Sequence, residues 1–327
     1  MLNIGSNINE VRIDGHLKQL RNDLTAFLGF GLTAAEITVH GIDAIRNGRL
    51  DARRTAETRA ILDDFPFSYS VHCPNPLNLM DQSNAQLHRD VLFASLEFSS
   101  AIKAEVLVYH PGRFLAEEEF ALRGPVALEP EEQMKYLETE AIILREAADQ
   151  FPGLIIAMEN ARPYLYHSPY CYAEMPAGLK QQAERIARAN VMINLDFGHL
   201  QMSSKYYDLD PISEVRAIAP LIAHCHVHDN FGNPVYHTEK TQTHQIPFGK
   251  GDSHMPVGWG AIPISDILAE FISSYDGMLI CELRSRYFEQ TRTSAEALAT
   301  ILQNLGVGAE IAKMGTSFNK AFPQAVS

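Results

Sequence analysis

The sequence predicts a single (β/α)8 TIM barrel, and three observations carry that prediction. Eight short runs rich in apolar and β-forming residues recur along the 327 residues, each followed by a stretch with helical periodicity. No linker, low-complexity segment or break in composition divides the chain. The first turn, Gly5-Ser6-Asn7, lacks the glycine-rich phosphate fingerprint with which an open doubly wound sheet normally begins. Strands that alternate with helices pair in parallel through right-handed crossovers, and eight such units without a break point to a closed barrel.

The predicted strands in order are LNIGS (2–6), AEITVH (35–40), FSYSVH (67–72), VLVYH (106–110), LIIAME (154–159), VMINLD (191–196), IAHCHVH (222–228) and MLICE (278–282). The predicted helices between them are 15–30, 52–63, 85–103, 131–150, 177–189, 212–219, 264–275 and 294–305. The fourth helix has a start signal in Pro130 before Glu131 and Glu132, and the sixth in Asp210-Pro211. The barrel is expected over 1–306, with one long irregular loop at 229–263 and a tail at 307–327. Loops of that length are usually lids or binding loops.

A formal charge of −13 argues against a dedicated nucleic-acid surface, which is built from clustered Lys and Arg. Cys73, Cys171, Cys225 and Cys281 show no CxxC spacing and suit reduced, buried thiols. The N-terminus has no basic, apolar leader and no run is long enough to span a bilayer, so a cytoplasmic protein is expected.

In such a barrel the active site lies at the C-terminal ends of the strands. Six consecutive predicted strands end at or near a possible metal ligand: His72, His110, Glu159, Asp196, His226 and Glu282. Any one of them alone reads as a solvated strand end. Nothing structural demands His, Asp or Glu at all six, and gathered together they need cations to offset desolvation and repulsion. Asp196-Phe-Gly-His199 adds a further imidazole, and Asp252-Ser-His254 lies on the glycine-rich loop. An extended DxH segment would turn both side chains to one face. Imidazole and carboxylate without thiolate favour Zn, Mn, Fe or Co.

These motifs resemble the xylose-isomerase-like superfamily of TIM barrels, which includes sugar isomerases and epimerases and the endonuclease IV type of apurinic endonuclease. HCPNPLNL from His72, YHPG around His110, MEN around Glu159, D-x-x-H at Asp196 and His199, His226 of HVHDN, D-x-H at Asp252 and His254, and Glu282 are similar to the endonuclease IV metal set. The resemblance implies nine ligands and two or three ions. It departs from a DNA-repair enzyme at Asn75, where that family has tyrosine, and at Ala161-Arg162-Pro163-Tyr164, where it has a small, glycine-containing run.

Two chemistries follow. The leading expectation is a multi-metal hydrolase of a small phosphorylated or anionic substrate, its ions lowering the pKa of a bridging water. The alternative is a sugar or polyol isomerase or epimerase in which Glu159 and Glu282 move protons beside a carbonyl with one ion. A non-enzymatic barrel is opposed by the survival of all nine ligand types. His228, Arg284 and Trp259 are the expected substrate contacts, with Arg162 a second anion holder and His40 a further polar group of the pocket. His16, His88, His167, His237 and His244 read as surface residues. The tyrosine-rich stretch 164–172 suits a stacking surface or a homodimer contact.

Overall fold

The computed structural model describes residues 2–125, 127–237 and 242–308. Eight parallel strands close into a barrel: β1 (Asn3–Ile8), β2 (Ala34–Thr38), β3 (Ser68–His72), β4 (Val106–Tyr109), β5 (Ile155–Glu159), β6 (Val191–Asp196), β7 (Ile222–His226) and β8 (Met278–Cys281). Closure comes from β8 pairing with β1, Gly5 opposite Ile280. The single (β/α)8 barrel expected from the sequence is the fold observed. Among the described residues no helix is long and apolar enough to cross a membrane. The tail expected from 307 lies, from 309 onward, outside the described residues.

The strands are buried on both faces, which is why they read as nearly continuous apolar runs. Outward residues such as Leu107, Ile156, Met158, Ile193 and Leu279 join the helices in one large core. Inward residues Ala34, Val106, Val108, Ala157, Met278 and Ile280 fill a smaller cluster inside the barrel. Each fully buried Leu or Ile contributes about 1.5–3 kcal/mol, so the two layers together hold the strand ends in a fixed frame.

Two local features depart from the sequence reading. A helix, Phe197–Tyr207, starts directly at the end of β6, where the sequence suggested only an imidazole one turn on. Asp196 makes the start: its Oδ1 accepts from the His199 N–H at 2.6 Å and caps the helix. The 229–263 loop is also less free than a lid. Asp229 pairs with Met255 through backbone hydrogen bonds of 2.8 and 3.0 Å, and its carboxylate accepts from the N–H groups of Gly258 and Ile262. Closer to the loop's tip, Gly251 N–H donates to the Asn233 carbonyl at 2.8 Å, and Asn233 Nδ2 donates to the Gly249 carbonyl at 2.6 Å.

Candidate metal centre

Side chains alternate along a strand, so every second residue enters the barrel. On β4 the row is Val106, Val108, His110; on β5 it is Ile155, Ala157, Glu159; on β8 it is Met278, Ile280, Glu282. On these three strands the apolar floor therefore gives way directly to possible ligands at the rim. All nine residues expected from the sequence converge there. The ligand atoms there fall into five overlapping groups, each within 4.8 Å: His72, His110 and Glu159; Glu159, Asp196 and His226; His199, Asp252 and His254; Glu36, His72, His226 and Glu282; and His228, His254 and Glu282. Glu282 lies 3.4 Å from His226 and 3.3 Å from His254.

The imidazole tautomers decide what this cluster can hold. His72 Nδ1 lies 2.7 Å from the Cys73 carbonyl, His199 Nδ1 2.8 Å from that of Asn160, and His254 Nδ1 2.9 Å from that of Glu282. A carbonyl only accepts, so each Nδ1 carries the hydrogen and each neutral ring presents its Nε2 lone pair to the centre. Those lone pairs face carboxylate oxygens: His72 to Glu159 at 3.6 Å, His199 to Asp252 at 3.3 Å, and His254 to Asp252 at 2.8 Å. Acceptor against acceptor is repulsive unless a proton or a metal cation stands between them. Asp252 Oδ1 and Glu282 Oε2 are buried and have no hydrogen-bond partner among the described residues.

Protons are the substitute when no metal is bound. Burial disfavours the imidazolium of His72, but its hydrogen bond to Glu159 and the field of Glu36 push it up to about 9. Burial is likewise outweighed at His254, where Asp252 and Glu282 push it up to about 9. Burial alone would raise Glu159, yet His110 and His226 hold it well below the usual carboxylate range. The donor set, its tautomers and its orphaned oxygens together fit divalent cations bound by nitrogen and oxygen.

Two residues of this network escaped the sequence reading. Glu36 is fully buried, with Oε2 3.0 Å from His224 Nε2 and Oε1 2.9 Å from His226 Nε2, and it accepts from Ser70 Oγ at 2.9 Å. It turns His226 Nδ1 toward Glu159, 3.3 Å away. Asn194 Nδ2 donates to Glu159 Oε2 at 2.9 Å and lies 3.1 Å from that same His226 Nδ1. The signal for Glu36 was present: a lone carboxylate inside the apolar run AAEIT. His224, expected deep in the barrel and structural, sits there against Glu36.

Above the cluster lies a cavity of about 100 Å³, whose wall includes His40, Asn75, Arg162, Arg284, Glu159 and Glu282. Arg284 and His40, expected at the site, line this cavity. His228 is outside its wall: β7 ends at His226 and His228 is fully buried, its Nε2 3.1 Å from Asp196 Oδ2 and its ring stacked 4.0 Å from that of His254. It packs against two candidate ligands. Trp259 stands half exposed at the rim, edge-on to Tyr287 at 5.8 Å, and is not part of the cavity wall. Asp252 and His254 converge for a reason other than an extended segment: His254 adopts the left-handed conformation, φ 44°, a strain held by its surroundings. The tyrosine-rich stretch is partly interior, with Tyr164 and Tyr170 buried and packed on Phe120 and Tyr166 exposed. His167, expected at the surface, is buried and stacked on the same ring at 4.1 Å.

Gly198 shows how tightly the layer under the ligands is packed. A Cβ there would lie 2.0 Å from His228 Cε1. Gly198→Ala is expected to displace His228 from Asp196 and to destabilise the protein by about 1–3 kcal/mol, seen as a lower Tm. Metal affinity should fall with it; an unchanged Tm and affinity would show that His228 has room to move.

The xylose isomerase-like TIM barrel family matches residues 26–305. No curated protein sequence matches the chain. Among solved structures, a D-tagatose 3-epimerase-like protein superposes with a TM-score of 0.68 at 18% identity, covering 93% of this chain and 98% of that one. An L-ribulose 3-epimerase gives 0.63 at 13%, covering 94% and 95%. A 3-keto-D-glucoside 4-epimerase from E. coli gives 0.62 at 14%, covering 93% and 100%. At these identities the likeness is one of fold.

Proposed function

The chain belongs to the xylose isomerase-like TIM barrel family, and on that footing we propose that it is a divalent-metal-dependent isomerase or epimerase of a small sugar-like substrate. The observation that carries the reading is the placement of two carboxylates, Glu159 and Glu282, in the wall of one small polar cavity above imidazoles whose lone pairs face carboxylate oxygens. A bound divalent ion would supply Lewis acidity at the substrate's carbonyl and hydroxyl oxygens. Glu159, Asp196 and His226, with Glu282 beside them, would hold it, and His72 and His110 with Glu159 form a neighbouring position. The carboxylate that removes a proton from the carbon beside a carbonyl must begin ionised, and the surrounding imidazoles keep both glutamates so. Glu282 is the more open of the two and takes the substrate's nearer face; Glu159 serves the deeper one. Arg284, at the rim, is placed to take a substrate oxygen. The epimerases compared above point the same way, and they lend no support to the hydrolase expected first. The four free buried thiols suit a reducing compartment such as the cytoplasm.

The test is exchange: incubation of ketoses and aldoses with metal-loaded protein in D2O should introduce deuterium at a carbon next to the carbonyl. No incorporation across a broad panel would overturn the reading. A second reading, a multi-ion hydrolase, keeps one observation in its favour, that the ligands form more than one group able to hold an ion. Release of phosphate from a phosphorylated panel without exchange would select it.

A further inference from the structure

The group formed by His199, Asp252 and His254 has a fixed cation beside it. We propose that the guanidinium of Arg162 stands in for a third metal ion and closes the corner made by His199, Asp252 and His254 to divalent cations; the proposal rests on the reading of the other groups as a metal centre. Arg162 Nη1 lies 3.4 Å from His199 Nε2 and 3.4 Å from Asp252 Oδ2, two atoms that a third ion would have to bind. Asp252 Oδ2 is further approached by His254 Nε2 at 2.8 Å and Arg284 Nη2 at 4.0 Å. Asp252 Oδ2 also lies 3.3 Å from His199 Nε2, so the carboxylate is the anion that the guanidinium and both imidazoles share.

Arg162 is held in that position from behind. Its Nη2 and Nε donate to the Tyr164 hydroxyl at 2.8 and 3.2 Å, and that hydroxyl donates to Glu117 Oε2 at 2.8 Å. Glu117 lies 3.6 Å from Nη2 and completes the bracket. Tyr164 is buried against Phe120, so the bracket belongs to the packed rim and not to a swinging surface chain. The residues at work are Arg162 and Tyr164, in the stretch where this sequence departs from the glycine-containing run of endonuclease IV.

An ion at the corner would sit about 2 Å from His199 Nε2 and from Asp252 Oδ2. That places it a few ångströms from Nη1, and a guanidinium cannot shed its proton to relieve the repulsion. At such a distance a doubly charged ion repels the guanidinium twice as strongly as a unit charge would, enough to weaken binding by several orders of magnitude in a partly buried site. Among the described residues, no Arg or Lys forms an ion pair with Glu159, Asp196 or Glu282. Those groups remain open to metal. The centre is thus built for one or two ions, and a substrate oxygen reaching the third corner meets N–H donors.

The experiment counts metal per chain in protein saturated with Mn2+, Co2+ or Zn2+, freed of excess and analysed by plasma mass spectrometry. Wild type should hold no more than two ions. Arg162→Met, which keeps the stem and removes the charge, should gain one ion, with at least about 100-fold tighter binding at that position. The gain should vanish when Asp252→Asn is added. Arg162→Lys keeps the charge and should keep the wild-type count, which controls for misfolding of the Met variant. Three ions in wild type, or no gain in a folded Arg162→Met, would overturn the arginine assignment while leaving the metal centre standing. No ion in any variant would overturn the metal centre, and the arginine assignment with it.

Discussion

Glu159→Gln is expected to empty the centre of metal and to lower kcat/KM by about 10²–10⁴-fold. Among the carboxylates at the rim it faces the most imidazoles. It lies 3.6 Å from His72, 3.5 Å from His110, 3.3 Å from His199 and 3.3 Å from His226, and it belongs to two of the five ligand groups. Glutamine matches its shape, so packing should survive, but four imidazoles lose the anion that balances either their protons or a shared ion. A chelator competition, read beside a thermal melt, separates metal loss from unfolding. A folded variant with wild-type metal content and activity would remove Glu159 from both roles.

Stability should depend on pH in opposite directions with and without metal. His72 and His254 have an ordinary value of 6.5 and reach about 9 in the folded, metal-free protein. Folding therefore binds protons above pH 6.5, and the stabilisation is complete below that value and lost as pH rises through about 9. Each imidazole accounts for on the order of 3 kcal/mol, since both are buried and paired. The metal-free protein should melt at a markedly lower temperature at pH 9 than at pH 6.5. Metal competes for the His72 lone pair, so its affinity rises with pH and the loaded protein should show the reverse trend; His254 Nε2 faces the corner closed by Arg162 and stays outside that competition. Melts at the two pH values, with EDTA or with excess divalent ion, test this directly. Parallel trends in the two states would mean that protons and metal do not share the site.

The rim ligands were legible because a polar residue that closes an apolar strand stands out, and six such strands in succession do so together. What was harder to read lay one step deeper or in the third dimension. Glu36 and Asn194 lie inside strands, where the eye follows the apolar neighbours. His228 looked like a substrate contact because IAHCHVH continues the alternation, whereas the strand stops at His226 and the chain turns His228 under Asp196. The helix at Phe197–Tyr207 was missed because it has no loop before it: the strand-end Asp196 is itself the cap. The bracket around Arg162 joins residues 117, 162, 164, 199 and 252, a set that no local pattern connects.

The neck between Asn233 and Gly251 has an evolutionary and engineering consequence. Below it, the Asp229–Met255 pairing fixes the chain that delivers Asp252 and His254. Above it, the chain stays tied to the rim: Val235 is buried with its carbonyl accepting from the Leu165 N–H, His237 packs on Phe120 and His167, and Gln242 Oε1 accepts from the Asp252 N–H. The loop is thus a strut for a candidate ligand as well as a cover. New sequence carried over the rim in search of new substrates has to keep Val235, His237 and Gln242 along with Asn233, Gly249 and Gly251.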